Sequence, residues 1–277
     1  NMGSNNDISL KALAKINLGL DVVRRREDGY HEVRMIMQTV QLYDRLDIRR
    51  TQEPGIQIQT NLSFLPVNEN NLIYKAAKLL MDEFSITDGI SVKLDKRIPV
   101  AAGMAGGSTD AAAMLIGVNR LFSLGLTKRQ LMERGVQIGA DVPYCIMRGT
   151  ALAEGIGEAL SPLPPMVKCP VLIAKPSISV STKFVYQNLK LDDTTIHPDI
   201  DRLIDDIKAK NLHDIAAHMG NVLETVTIPN YPVIDEIKKH MLSNGAVGAM
   251  MSGTVSFRSL FRLNSSDISR KVSFRPL

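Results

Sequence analysis

The chain has little of the material that builds several large classes of protein. Its 277 residues include two cysteines and no tryptophan, and aromatic residues make up only 5%. No apolar run approaches the roughly 20 residues of a membrane-spanning helix, so we expect no membrane partner. Cys145 and Cys169 stand far apart and the five histidines are scattered, which argues against a disulfide scaffold and a metal cluster. Basic residues are not interleaved with aromatic ones, so we expect no nucleic-acid partner.

The composition that remains is that of an ordinary globular protein. Hydrophobic residues make up 44% and charged residues 22%, and a chain of this length is natural for two domains. Residues 255–277 hold five basic residues against Asp267 and account for the whole net charge of +4, so the charge does not mark a binding face. Residues 1–7 are polar and lack a secretory pattern. We therefore expect a cytoplasmic protein, as a monomer or weak homodimer.

Breaker residues divide the chain after a strand-rich first part. Pro162, Pro164 and Pro165 form the clearest cluster, and we place a domain boundary there, between domains 8–163 and 164–277. Periodicity predicts strands within residues 8–60, and further elements as follows: helices over 69–84, 108–121, 127–139, 199–210, 212–225 and 233–242, and strands over 90–95, 171–174 and 245–253. Thr127 and Gln130 form a capping-box pattern at the start of the third of these helices.

The most informative stretch is the glycine-rich segment 99–113. A strand leads into Pro99, small residues follow over 101–107, and Ser108 precedes a run of good helix formers. A glycine loop between a strand and a helix directs backbone N–H groups and the positive end of the helix dipole at an anion, for which phosphate is the default ligand. The glycines match neither the Walker A motif nor the dinucleotide fingerprint. The alternative interpretation is a tight turn capped by Ser108.

Three other features are ambiguous when taken singly. Lys15 lies opposite the apolar face of a strand, where a solvated lysine on an edge strand is the simpler interpretation. Asp141 stands between turn formers and by itself indicates a cap or turn aspartate. Tyr30 and His31 follow Asp-Gly, which by itself indicates a hairpin turn.

Taken together, these pieces follow the order and spacing of one superfamily. The matching motifs are Ala-Lys-Ile-Asn (14–17), Asp-Gly-Tyr-His (28–31), Asn-Leu (71–72), the segment 99–113 and Gly-Ala-Asp-Val-Pro (139–143). Over roughly residues 8–253 the chain resembles the GHMP kinases. The resemblance implies a two-domain α+β protein, with an N-terminal mixed α/β domain that carries a glycine-rich phosphate loop and a C-terminal ferredoxin-like α+β domain.

The second and fifth motifs resemble more narrowly the branch of the superfamily that phosphorylates the 2-hydroxyl of a CDP-linked methylerythritol in isoprenoid precursor biosynthesis. That resemblance implies ATP and Mg²⁺ as cofactors. Lys15 and Asp141 would be catalytic, with Asp141 taking the proton of the hydroxyl and Lys15 keeping Asp141 ionised. Ligand contacts are implied for the following residues: Asn17, Tyr30, His31, Thr182 and Tyr186 for the substrate, with Tyr186 as a second ring stacked on the cytosine; Pro99, Gly103, Gly106, Gly107, Ser108 and Thr109 for the ATP phosphates; Asn71 and Lys96 beside the adenine; and Ser108 for the metal.

The tail departs from the family pattern. The family's third glycine motif begins at Met251–Gly253, but neither glycine nor the family's Gly-Pro-Thr follows, and residues 254–277 resemble unrelated sequence joined at Gly253, as a frameshift or altered terminus would produce. The alternative is a divergent but folded terminus, in which Phe257, Leu260, Phe261 and Leu263 contribute a short strand or helix. Two other functions therefore stay open: another GHMP kinase acting on homoserine or mevalonate, and a nucleotide-binding chain that the altered terminus leaves inactive.

Overall fold

The computed structural model describes residues 7–254 in full and the backbone of residues 256–261. The described part of the chain alternates long strands with short to medium helices. In chain order the elements are β1 (Asp7–Arg25), β2 (His31–Thr51), β3 (Ile56–Thr60), α1 (Leu72–Glu83), β4 (Gly89–Asp95), α2 (Gly106–Leu121), α3 (Lys128–Gly135), α4 (Val142–Met147), β5 (Thr150–Glu154), β6 (Ala159–Pro162), β7 (Val171–Ala174), α5 (Thr182–Asn188), α6 (Ile200–Ala209), α7 (Leu212–His218), β8 (Gly220–Asn221), α8 (Glu224–Asn230), α9 (Val233–Ser243), β9 (Ala246–Ser252) and β10 (Ser256–Phe261).

A seven-stranded sheet built on the β1–β2 hairpin organises the first part. Its order is β3-β4-β2-β1-β8, and β5 pairs with both β2 and β6. Strand β1 lies between β2 and the short parallel strand β8, so it is not an edge strand. Residues 14–22 of β1 are buried without interruption, as expected for a strand covered on both faces. The interpretation of Lys15 as a solvated edge-strand lysine is therefore wrong: Lys15 is 7% exposed.

A second, three-stranded antiparallel sheet has the order β7-β10-β9. Strand β10 falls within the unusual tail and lies between the other two strands, so the alternative in which this part of the tail contributes a short strand is confirmed for residues 256–261. What the sequence indicates beyond residue 261 lies outside the described residues. The predicted boundary between residues 163 and 164 stays a prediction, although β8 from the second half of the chain pairs with β1 in the first sheet.

Most predicted elements are present, with corrections that have local causes. Helix α1 begins at Leu72 and not at 69, because the Asn71 side chain accepts a hydrogen bond from the Ile73 N–H and caps the helix. The capping box that starts α3 at Thr127 is confirmed, but the helix ends at Gly135 and not at 139. The single helix predicted over 212–225 is wrong: Gly220–Asn221 pairs with β1 and separates α7 from α8. No helix of the described residues is long and apolar enough to cross a bilayer.

Candidate active site

A cavity of about 630 Å³ opens where the glycine loop, β1 and the β9 turn meet. It gathers most of the residues that the sequence singles out, from distant parts of the chain. The predicted site residues that line it are Lys15, Asn17, Asn71, Lys96, Pro99, Gly103, Gly106, Gly107, Ser108, Asp141, Thr182 and Tyr186. Tyr30, His31 and Thr109 are not among its lining residues.

The glycine loop forms one wall through backbone conformations that few residues adopt. Gly103 has a φ of +65°, and Ala105, the N-cap residue of α2, has a φ of +55°. Helix α2 begins directly after it, at Gly106, two residues earlier than predicted. The first N–H groups of a helix lack acceptors within the helix and carry the positive end of its dipole. The loop therefore presents a surface suited to phosphate.

Two glycine turns touch at the back of the cavity. A Cβ atom placed on Gly103 would lie 3.3 Å from the Ser252 carbonyl oxygen and 3.8 Å from the Gly253 Cα. Gly253 itself has a φ of +59°. The turn after β9 thus seats directly on the phosphate loop, which is why both positions need glycine.

Asp141 is at the N-cap position of α4, but its side chain makes no capping hydrogen bond. Asp141 lines the cavity instead. The interpretation as a cap residue is therefore right about the position of Asp141 in the chain, but its side chain does not act as a cap. The pKa of the Cys145 thiol is raised to about 12 by burial and by the charge of Asp141, while the charge of Lys15 opposes this rise. The carboxylate and the ammonium group thus act on the same buried thiol, and both line one cavity.

Lys15 and Asn17 belong to a buried polar network on β1. The Lys15 Nζ donates to Asn17 Oδ1 at 3.1 Å, and the Asn17 backbone N–H donates to the Ser252 hydroxyl, also at 3.1 Å. Ser252 also donates to Asn17 Oδ1 at 3.4 Å and is fully buried. Sequence reasoning missed Ser252 as a site residue, although it noticed the start of a third glycine motif at this point.

The aromatic residues form a partial platform at the cavity's edge. The rings of His31 and Tyr186 are tilted against each other at 46°, with centroids 5.0 Å apart. Burial raises the pKa of Tyr186, and the charge of Asp141 adds to the rise. Burial and the charge of Arg25 lower the pKa of His31. Tyr30 is 61% exposed beside the β1–β2 turn and, unlike Tyr186, does not line the cavity.

Two of the predicted nucleotide residues have structural partners for their polar groups. Asn71 caps α1 with its side-chain oxygen and donates its amide to the Pro66 carbonyl oxygen at 2.8 Å. Thr109 is buried, and its hydroxyl donates to the Leu13 carbonyl oxygen at 2.8 Å, which ties α2 to β1. Asn71 also lines the cavity, whereas Thr109 does not line it and bonds β1 instead.

Lys96 also bonds protein groups, in a buried ion cluster. Its ammonium group pairs with the carboxylates of Asp44 and of Asp110, the latter at 2.9 Å, and all three side chains are buried. Burial lowers the pKa of Lys96, but the two carboxylates outweigh this effect and the pKa is raised. Burial raises the pKa of Asp110 well above its usual range, with Asp44 adding to the rise and Lys96 opposing it.

The second half of the chain supplies the opposite wall. The hydroxyls of Thr182 and Thr254 lie 3.1 Å apart and both residues line the cavity. Asn221 fixes the turn that carries Thr254: its amide donates to the Met251 and Gly253 carbonyl oxygens at 3.0 and 2.8 Å. Asn221 and Thr254 belong to no recognisable sequence motif, so no local pattern marks them as site residues.

Comparison with known proteins shows the family to which this chain belongs. The family model for the GHMP kinases N terminal domain matches residues 71–149, and that for the GHMP kinases C terminal matches residues 203–262. A protein of Lachnospira eligens named 4-diphosphocytidyl-2-C-methyl-D-erythritol kinase is 62% identical over 247 residues, which are 89% of this chain and 86% of that protein. A protein of Lachnoclostridium phytofermentans with the same name is 59% identical over 89% of this chain and 85% of its own length.

Solved structures agree with the sequence comparison. The crystal structure of a 4-(cytidine 5'-diphospho)-2C-methyl-D-erythritol kinase superposes with a TM-score of 0.80 at 31% identity, covering 91% of this chain and 90% of that one. The mevalonate kinase of Methanococcus jannaschii superposes with a TM-score of 0.74 over 95% of this chain and 92% of its own, at 18% identity. At 18% identity, the likeness to the mevalonate kinase shows a shared fold and nothing more.

Proposed function

Because the chain belongs to the GHMP kinases and, within them, to the family of the 4-diphosphocytidyl-2-C-methyl-D-erythritol kinases, we propose that it transfers the γ-phosphoryl group of ATP to the 2-hydroxyl of 4-diphosphocytidyl-2-C-methyl-D-erythritol. The observation that carries the proposal is the shared cavity. Asp141, Lys15 and the start of α2 line it together, although they come from three separate parts of the chain. Cytoplasmic location and a monomeric or weakly dimeric state belong to the same proposal.

Phosphoryl transfer asks a protein mainly for positioning and charge neutralisation. In the proposed step the substrate hydroxyl oxygen attacks the γ-phosphorus, and the bond from that phosphorus to the β,γ-bridging oxygen breaks, releasing ADP. The hydroxyl proton passes to the Asp141 carboxylate. Helix α2 directs its first N–H groups at the phosphates, and the Lys15 ammonium offsets negative charge beside Asp141. Both roles fit an Asp141 carboxylate that makes no helix-capping hydrogen bond and a buried lysine that lines the same cavity.

The cytidine end of the substrate fits the aromatic side of the cavity. Tyr186 lines the cavity and contacts the His31 ring, so a base placed against Tyr186 would meet a supported aromatic face. Stacking on one such face contributes about 1–3 kcal/mol. Tyr30, Asn17 and Thr182 complete the proposed substrate contacts, with Asn17 near the reacting hydroxyl.

Mg²⁺ is part of the proposal, and the residues present suit it. The Ser108 hydroxyl and the Asp141 carboxylate line the cavity, and both offer the oxygen atoms that Mg²⁺ prefers. Ser108 is the residue we assign to the ion, together with the ATP phosphates. When bound, the ion would neutralise negative charge on the ATP phosphates.

An Asp141→Asn variant tests the assigned base. The amide keeps the shape of the side chain but cannot accept the proton, so we expect kcat to fall by at least about 100-fold while the ATP dissociation constant changes less than about twofold. Asp199→Asn is the matched control, because Asp199 is the N-cap of α6 and asparagine caps a helix equally well. Turnover of the Asp141 variant within a few-fold of the parent protein would refute the assignment.

A further inference from the structure

The segment that leads into the phosphate loop is fixed by side chains that the proposed reaction does not use. Asn61 accepts a hydrogen bond from the Lys96 N–H at 2.8 Å and donates to the Lys96 carbonyl oxygen at 3.1 Å. Asp44 on β2 accepts from the backbone N–H groups of Arg97 and Ile98. The chain is therefore held at three successive residues just before Pro99.

The Lys96 ammonium group then links this segment to the helix on the far side of the loop. It bonds Asp44 on one side and Asp110, in the second turn of α2, at 2.9 Å on the other. The route between them passes under Gly106: a Cβ atom on Gly106 would lie 3.1 Å from the Lys96 Nζ. A side chain at this position would therefore press on the ammonium group and force it to shift by a few tenths of an ångström.

Both ends of the phosphate loop are thus joined through one buried ion cluster. Lys96 lies before the loop and Asp110 after it, and each is exposed by less than a tenth. The second oxygen of Asp110, Oδ1, is buried without a hydrogen-bond partner. The Asp110 carboxyl instead meets the Lys96 ammonium group, bonded at 2.9 Å, and the neighbouring Asp44 carboxyl. A buried carboxyl depends on such partners within the protein, because it has no water to bond.

We propose that Asp110 is a positioning residue for ATP, acting through Lys96: the Asp44–Lys96–Asp110 cluster holds the two ends of the phosphate loop at the separation that the nucleotide requires. In this assignment the Lys96 ammonium is a tie within the protein, and its contribution to nucleotide binding is indirect. The inference rests on the proposed function, since it takes ATP as the ligand of the loop.

The direction in which ATP affinity changes when the Asp110 carboxylate is removed distinguishes a positioning role from a purely electrostatic one. Removing a carboxylate next to a triphosphate site lowers local negative charge, and by Coulomb's law alone ATP would bind more tightly. If Asp110 positions the loop, its removal weakens ATP binding instead.

The test is isothermal titration of ATP, without the second substrate, into Asp110→Ala and Asp110→Asn. We expect the ATP dissociation constant to rise about tenfold for alanine and about threefold for asparagine, because the amide oxygen still accepts from Lys96. The KM of the cytidyl substrate and kcat at saturating ATP should stay within about threefold of the parent values. Should the alanine variant not fold, the asparagine variant decides alone, with a rise above about twofold expected.

Asp206→Ala is the matched control. Asp206 is also a buried aspartate, paired with His218 at 2.6 Å, but it lies on α6 and does not line the cavity. It should lower the melting temperature much as Asp110→Ala does and leave ATP binding unchanged. Unchanged or tighter ATP binding in the Asp110 variants would overturn the proposal. A parent protein that binds ATP normally but turns over no substrate would count against the proposed function and leave this inference standing.

Discussion

Tyr186 is where the account of substrate choice can be tested most sharply. Its ring lines the cavity and rests on His31 at a centroid distance of 5.0 Å, so its position is fixed before a ligand arrives. Tyr186→Ala removes one stacking face, worth about 1–3 kcal/mol. Since about 1.4 kcal/mol corresponds to a tenfold change in affinity, the KM for the cytidyl substrate should rise by about 5- to 150-fold.

The assay is steady-state ADP release with each substrate varied in turn. The ATP KM should change less than about twofold, because the glycine loop and α2 are untouched. Tyr186→Phe keeps the ring and should behave like the parent protein. Tyr30→Ala is a second comparison: with a side chain 61% exposed and outside the cavity lining, Tyr30 should matter less than Tyr186.

Two results would refute this reasoning. An unchanged KM for the cytidyl substrate in Tyr186→Ala would mean that the base does not lie against this ring. An equal loss for both substrates would mean that the variant damages the cavity as a whole. Either result would remove the stated basis for selecting a nucleotide-linked alcohol.

Two further predictions concern the loop and the buried thiol. Gly103→Ala should raise the ATP dissociation constant and lower stability by about 1–2 kcal/mol, since Gly103 has a φ of +65° and packs on Ser252. Gly125→Ala, at a φ of +72° with no neighbour within 4 Å, should lower stability equally and leave ATP binding unchanged. Equal ATP affinities of the two variants would show that the contact between Gly103 and Ser252 does not matter for ATP binding. Cys145, whose pKa is raised to about 12, should resist a thiol reagent at pH 8 in the folded protein and react after unfolding, so rapid modification of the native protein would show that the thiol is not buried as described.

The sequence predicts those parts of the molecule that depend on local patterns. The capping box at Thr127, the strand over 90–95 and the glycine loop before α2 all follow from residues within a few positions of one another. Helix α4 escaped prediction because it has six residues and carries Pro143, which indicates a turn in sequence but fits the first turn of a helix.

Long-range contacts account for what the sequence could not show. Lys15 looked solvated because nothing local indicates that the glycine-loop segment will pack against it, where the Lys15 backbone N–H donates to the Met104 carbonyl oxygen at 3.2 Å. The resemblance placed Lys96 beside the adenine, and it does line the cavity. That its ammonium joins Asp44 to Asp110, residues 52 and 14 positions away from it, depends on the folded topology alone. Ser252 and Asn221 gain their importance in the same way.

The central claim is the identity of the phosphoryl acceptor, and one assay tests it directly. ADP release should be measured with 4-diphosphocytidyl-2-C-methyl-D-erythritol, homoserine and mevalonate at matched concentrations, alongside the ATP-induced rise in melting temperature. The account predicts turnover with the cytidyl compound alone. Turnover with homoserine or mevalonate in its place would contradict the substrate assignment, and no turnover with any of the three, while ATP still stabilises the protein, would contradict the assignment as a kinase.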